Sequence, residues 1–524
     1  MKRRRFIGVA AAAFAGALGL ATRGAGAVRL LGGLRIGNGE RPLAGDRALL
    51  TTLGPSRPTA RLRFALLRRA LVYLEALETG HGSGSAQRVP GSQPLGPVAL
   101  GAGAHELSWT PSQSLPARTY ILSLTARRGV VADTASAVAR VLGVDAAFGR
   151  RSALPGEIAT LVVATDANRL TMQILHSGPE TDETWSDDEI KGVPVSDPVT
   201  LDWTAHGNGP APIEIDVGAD WPSGVYAARL AADDGRVGFA PLVVRPARPA
   251  SRVAVVIPTS TWAAYNFFDA DGDGWGDTWY ARWSKRRVDL TRPNLERGVP
   301  HRYRSFDLAF QHWLARTGTV VDMYADEDIE AFAAHDLRSA YDLVAFPGHT
   351  EYATTRLYTT IETYRDLGGN LLFLSANNFY RRVDRADHTI TLIDTWRKLG
   401  RPEAALCGAQ YVGSDEGGFR EPFTVVGADV APWAFAGTGL GNGSTFGIYG
   451  IEFDARSSHS PAETYVLANI PNLFGGPRTA EMTYYESPGG ARVFSAGTLD
   501  FGGKILIWPQ ARTLFENVWQ RLTA

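Results

Sequence analysis

Cysteine is almost absent from this chain. Cys407 stands alone among 524 residues, which excludes an internal disulfide and any zinc or iron–sulfur site built from several thiolates. Net charge is nearly absent too: 53 basic against 54 acidic residues leave −1, so nothing draws the chain to nucleic acid or an anionic membrane. Beyond the first residues there is no long run of lysine or arginine. A bilayer-spanning apolar stretch is likewise lacking; the one ending at Leu20 is short and rich in alanine and glycine. Nucleophile elbows are missing as well. Leu374-Ser375-Ala376-Asn377 lacks the glycines a serine elbow needs to turn, and Ala405-Leu406-Cys407-Gly408 has no elbow signature for a thiolate. Covalent catalysis by serine or cysteine is thereby disfavoured.

With 44% hydrophobic and 20% charged residues, the chain can bury more than one core, and its length suggests about three domains. Arg3-Arg4-Arg5-Phe6-Ile7, the weakly apolar stretch and Ala25-Gly26-Ala27 read as a twin-arginine signal over residues 1–27, with cleavage after Ala27. A generic secretion signal with a basic start is the plainer alternative. Either one sends the protein out of a bacterial cytoplasm, to the periplasm or beyond. The twin-arginine route carries folded proteins, often ones that have already acquired a cofactor.

Residues 28–150 and 151–247 read as two β-sandwiches of immunoglobulin-like type. In the first, Arg61 to Phe64 and Arg118 to Leu124 alternate, and Leu71 to Leu77 is strand-like. In the second, Glu157 to Thr165, Arg169 to Leu175 and the segment after Trp221-Pro222-Ser223-Gly224 are strand-like. Trp185 and Trp203 could line a sugar platform, or sit in the core or at a sheet edge. Arg245 to Ala250 is a proline-containing linker.

Residues 251–524 change to an α/β pattern. Val253 to Ile257, Val320 to Tyr324, Leu343 to Phe346 and Leu371 to Leu374 are short buried strands, and Ser305 to Thr317 carries an apolar stripe at helical spacing. Thr354 or Thr355 caps a helix that Gly368-Gly369 ends, and Thr513 to Leu522 closes the chain with another. The expected architecture is a doubly wound parallel sheet, similar to the glutamine amidotransferase-like fold. Two polar loops then leave the carboxyl edge of one βαβ unit, where open sheets of this kind bind ligands. One is His349-Thr350-Glu351-Tyr352; the other runs from Ser375 through Asn377 and Asn378 to Tyr380.

The chemistry on offer is oxygen-rich: Glu351, Tyr352, Tyr380, and then Glu452 and Asp454 in Gly450-Ile451-Glu452-Phe453-Asp454. Phenolates and carboxylates are hard ligands, and a tyrosine with an ordinary pKa of about 10 yields its proton at neutral pH only to a strong Lewis acid such as ferric iron. In isolation, each tyrosine reads equally as a wall residue with its hydroxyl hydrogen-bonded. A separate loop, Asp269-Ala270-Asp271-Gly272-Asp273 to Asp277, sets carboxylates at positions 1, 3, 5 and 9 with a glycine at 6, the spacing of a calcium loop. Tyr280 stands at position 12 in place of the bidentate glutamate, so weak affinity is expected, and a solvated acidic loop is the alternative.

Taken in order, GHTEY, the GGNLLFL strand, NNFYRR, GIEFD, EMTYYE and VFSAGTLDF resemble the large subunit of N,N-dimethylformamidase and its relatives, from about Val253 to the C-terminus. Two motifs depart from the family's HPEY and GNGFYW: Thr350 replaces the proline, and Arg381 replaces the tryptophan. The resemblance implies a mononuclear iron held by two tyrosines and a glutamate, here Tyr352, Tyr380 and Glu452. It implies hydrolysis of a small amide and a small partner subunit, with homo-oligomerisation as the other option. In the mechanism expected, Glu351 takes a proton from a metal-bound water, His349 protonates the departing amine, and Asn377 donates to the carbonyl oxygen. His349 and Glu351 would otherwise only fix their loop. The rival reading is an exported, non-catalytic carbohydrate- or envelope-binding protein that keeps the α/β fold.

Overall fold

Strict alternation of apolar and polar residues makes the N-terminal part of the chain β-structure. Ala60–Leu66 reads ARLRFAL and buries Leu62, Phe64 and Leu66 on one face while its arginines meet solvent. The computed structural model describes residues 29–524 apart from 40–42, 44, 81–84, 90–94, 183 and 208, and apart from the side chains at 416 and 417. The twin-arginine segment lies outside the described residues. Two compact units result, one of residues up to Val141 together with Asp271–Gly276, the other of Leu142–Ala270 with Asp277–Ala524. The whole is a multidomain, strand-rich protein of several sheets.

In the first unit a three-stranded sheet (Leu31–Gly37, Ala60–Leu66, Gly103–Trp109) and a six-stranded sheet centred on Ala70–Thr79 and Thr119–Arg128 share one apolar core. Tyr120 donates to Pro116 O four residues upstream at 2.8 Å, and its ring packs on Trp109 at 5.7 Å. The same device recurs in the second unit. There Asp145–Phe148, Ile158–Ala164 and Ala211–Asp216 form one sheet, and Arg169–His176, Gly224–Ala232 and Val237–Val244 lie in a six-stranded other. Tyr226 donates to Pro222 O at 2.8 Å. Both are tyrosine corners, the local lock of immunoglobulin-like sandwiches. Trp203 is 2% exposed and belongs to the second sandwich's core, whereas Trp185 is 74% exposed; the two do not share a surface.

The remaining residues build a nine-stranded sheet. Its strands are β1 (Val253–Ile257), β2 (Asp322–Ala325), β3 (Leu343–Phe346), β4 (Asn370–Phe373), β5 (Gln410–Val425), β6 (Thr445–Ala455), β7 (Tyr465–Ile470), β8 (Ala480–Glu486) and β9 (Arg492–Ser495). Their spatial order is β2-β1-β3-β4-β9-β8-β7-β5-β6. The first five are parallel and fully apolar or nearly so, as strands covered on both faces must be. From β9 onward the pairing turns antiparallel, so a wholly parallel sheet is corrected to a mixed one. The helix expected over Ser305 to Thr317 is two, Tyr303–Phe306 and Leu308–Thr317, interrupted at Asp307 with φ −111°. Thr354 does cap its helix, accepting from Leu357 N at 3.0 Å.

Apolar residues of the second sandwich, among them Leu175, Val225 and Phe239, belong to the same core cluster as Val253, Trp262 and Phe310. That core is continuous across the Arg245 to Ala250 linker. Among the described residues no helix is long and apolar enough to cross a membrane.

Candidate active site

β3 ends at Phe346, and after Pro347 the chain passes so close to the buried Asp307 that a side chain at Gly348 would force the carboxylate to move. A Cβ on Gly348 would lie 2.2 Å from Asp307 Oδ1. Beyond that pinch His349, Thr350, Glu351 and Tyr352 are all buried. Glu351 N donates to Thr261 Oγ1 at 3.2 Å, which ties the loop to the helix following β1. Tyr352 lies in a small four-stranded sheet, paired in parallel with Arg381.

Glu351 is the hub. Its Oε1 accepts from Arg381 Nε at 3.1 Å, and its Oε2 accepts from the hydroxyls of Tyr265 at 2.7 Å and Tyr280 at 3.0 Å. The Tyr280 hydroxyl lies 2.5 Å from that of Tyr352, which accepts from Trp279 Nε1 at 3.0 Å. Burial, with Glu351 close by, raises the phenols of Tyr265, Tyr280 and Tyr352 well above their ordinary range. Burial also raises the Glu351 carboxyl, against the opposing pull of Arg381.

His349 faces two carboxylates. Its Nε2 is 3.8 Å from Glu351 Oε2 and 3.4 Å from Glu452 Oε2, and it makes no hydrogen bond. Tyr265 packs on its ring at 5.4 Å, and Phe306 stands perpendicular to it at 6.3 Å. Burial first, and the charge of Arg302 second, push the imidazole down to about 3. It is therefore neutral across the physiological range. Glu452 arrives from β6 directly after Ile451, a β-branched residue held at φ +78°. Such a backbone is strained for isoleucine and persists only where surrounding structure imposes it.

The structure thus gathers His349, Glu351 and Glu452, and joins Tyr352 to them through Tyr280 and Glu351. Tyr380 packs on Arg381, the arginine that pairs with Glu351: its ring meets Tyr411 at 5.1 Å and the guanidiniums of Arg381 and Arg397 at 5.0 and 5.1 Å. Asn377, at φ +58°, gives its backbone N–H to Asp454 Oδ1 at 2.8 Å, and burial pushes that aspartate up to about 7. Tyr265, Trp279 and Tyr280 are the contributors that sequence reasoning passes over. They lie in an irregular segment without periodicity; the one available signal is the density of aromatic residues between β1 and Trp283. In the acidic loop, Asp273 N donates to Asp271 Oδ1 at 3.1 Å. Asp277 pairs with Lys285 and accepts from Ala270 N at 2.7 Å.

Among solved structures, the chain is similar to Salmonella alpha-2-macroglobulin reacted with methylamine, at 13% identity over 41% of this chain and TM-score 0.21. It is similar also to native Escherichia coli alpha-2-macroglobulin, at 11% identity over 41% of this chain and TM-score 0.24. The match spans 16% of either of those chains. A chimeric titin Z1Z2 matches at 18% identity over 39% of this chain and 94% of its own, with TM-score 0.13. At such scores these likenesses carry no argument about the site. No curated relative matches. A family model does, over residues 176–511 and hence over more than half of the chain, and it takes in every residue of the site described above: the chain belongs to the family described as N,N-dimethylformamidase beta subunit-like, C-terminal.

Proposed function

We propose that this chain is a metal-dependent hydrolase of linear amide C–N bonds in small molecules. The observation that carries the reading is the meeting of Glu351 and Glu452 at His349 beyond the carboxyl end of β3, with Tyr352 tied to Glu351 through Tyr280. The donor set suits ferric iron. Buried phenols beside a carboxylate keep their protons unless a strong Lewis acid draws them off, and phenolate and carboxylate oxygens are what such an ion prefers. Tyr352 and Glu452 would hold it with a second tyrosine. The motif assigns Tyr380; the 2.5 Å separation of hydroxyls supports Tyr280 as the competitor.

Bound there, iron would acidify a water and polarise the amide carbonyl. The chain's own groups do the rest. Arg381 fixes Glu351 through Oε1, while Oε2, held by the hydroxyls of Tyr265 and Tyr280 on the side of His349, would take the water's proton. His349 begins neutral, so it must receive a proton before it can give one, and Glu351 Oε2 at 3.8 Å is placed to pass it on. Nε2 then protonates the departing nitrogen, which is a poor leaving group until it carries that proton. Asn377 would donate to the carbonyl oxygen from its side-chain amide. Carbon gains the hydroxyl, the C–N bond breaks, and a carboxylic acid and an amine leave.

The same reading places the parallel half of the sheet in a doubly wound, glutamine amidotransferase-like arrangement, with export by the twin-arginine route to the periplasm or outside. A small partner subunit and a calcium ion on Asp269, Asp271 and Asp273 complete it. Iron-replete protein should carry iron and release amine from formamides, and His349→Ala should lose at least about 100-fold in kcat. Protein from iron-replete cells that carries no metal, or that carries iron and hydrolyses none of the small amides offered, would overturn the reading.

A further inference from the structure

The rim of this site holds a cation with no ordinary structural task. Arg302 precedes the helix Tyr303–Phe306 in a left-handed conformation, φ +56°, at the position that Ser, Thr, Asp or Asn usually occupy as caps; its side chain makes no capping bond. The turn is held by its carbonyl instead, which accepts from Ser305 N at 2.9 Å and Phe306 N at 3.0 Å. Arg302 is a half-buried residue whose guanidinium lies over the ring of Phe306, 5.8 Å from its centroid, and that same ring stands perpendicular to His349. Among the described residues it forms no ion pair and no hydrogen bond. Its neighbours differ: Arg297 pairs with Asp188, Arg304 with Asp187, and Arg381 with Glu351.

Among the described residues no anion claims this guanidinium, so its five N–H donors are left to water. Within the site, Glu351 already has its arginine. What Arg302 lacks is an anion from outside the chain, and its planar fork suits a carboxylate. Phe306, between the guanidinium and His349, offers an apolar surface for a short linker joining that carboxylate to the scissile amide.

We propose that the substrate is an anionic amide, an N-acyl amino acid or its equivalent, whose carboxylate is bound by Arg302 while its amide lies at His349 and Glu452. This rests on the hydrolase reading for the amide end alone. A neutral dialkylamide would leave Arg302 unmatched.

The test compares N-formylglycine with N-formylglycinamide, which differ in the charge at one end, using full-length iron-loaded protein. Wild type should favour the acid by about tenfold or more in kcat/KM. Arg302→Gln should bring the ratio of the two substrates close to one through KM on the acid, and Arg302→Lys should restore part of the preference. Equal turnover of both by wild type, or a ratio unmoved in Arg302→Gln, overturns the proposal. If neither compound is hydrolysed, the hydrolase reading fails by itself, and calorimetric titration with N-formylglycine still decides: binding weakened at least tenfold by Arg302→Gln sustains the anion site, and no binding to wild type rejects it.

Discussion

The hydroxyls of Tyr280 and Tyr352 lie 2.5 Å apart, and Trp279 donates its indole N–H to the second of them. Removing one oxygen therefore does two things. Tyr352→Phe leaves a buried indole N–H unmatched, which should cost on the order of 1–3 kcal/mol in denaturant unfolding. In iron-loaded protein it should also bleach or shift the visible charge-transfer band that iron–phenolate bonds give. Running Tyr280→Phe beside Tyr380→Phe decides the second ligand, since only the variant at the bound tyrosine should shift the band.

Ile451 offers a cleaner separation of strain from packing. Glycine is normally worse than alanine in a strand, by about 0.5–1 kcal/mol. At φ +78° the order should invert, because alanine keeps the left-handed penalty of about 1–2 kcal/mol and glycine does not. Ile451→Gly is expected to melt above Ile451→Ala. Its activity should nevertheless fall more, since relaxing this residue frees Glu452 from its aim at His349.

Asp307 sets a pH dependence of stability. Burial raises its carboxyl to about 7, with Oδ2 accepting from Trp262 Nε1 at 3.3 Å. Between the unfolded value near 4 and the folded value the native state holds a proton that the unfolded chain has lost, so stability falls as pH rises through that window and levels off above it. The total change is on the order of 4 kcal/mol at most. Asp307→Asn should flatten the slope in urea titrations at pH 4, 6 and 8, with the largest gain over wild type at pH 8.

Calcium provides a fourth check. With Asp269, Asp271 and Asp273 at the spacing of a calcium loop, millimolar calcium should raise the melting temperature or protect the loop from proteolysis, and Asp271→Asn should weaken the effect. A titration that moves neither leaves the loop a solvated acidic turn.

The parts of the site legible from sequence are those set by short buried strands. β3 and the motif after it place His349, Glu351 and Tyr352 at a sheet edge, and GIEFD supplies Glu452. What escapes has a physical reason. Tyr265, Trp279 and Tyr280 lie on coil whose course is dictated by tertiary contacts, such as Arg292 binding the carbonyls of Ala263 and Phe268, and no periodicity marks coil. The long hairpin of β5 and β6 hides for another reason. Register shifts after Tyr411, Asp415 and Glu421 break the alternation that would announce a strand of 16 residues. Ser305 to Thr317 looks like one helix because its apolar spacing continues through Asp307, whose carboxyl is turned to Trp262.

The continuous core across the linker bears on how this protein can be cut or recombined. At Gly298 a Cβ would stand 1.7 Å from the carbonyl of Phe239, so main chain touches main chain between the sandwich and the sheet that carries the site. A knife at Ala250 would bare Phe239, Val225 and Leu175 on one fragment and Trp262 and Phe310 on the other. The family match accordingly begins at residue 176, inside the sandwich. Chimeras among relatives should be spliced before the second sandwich begins at Leu142, and a fragment begun at the linker of Arg245 to Ala250 is expected to aggregate instead of reporting on catalysis.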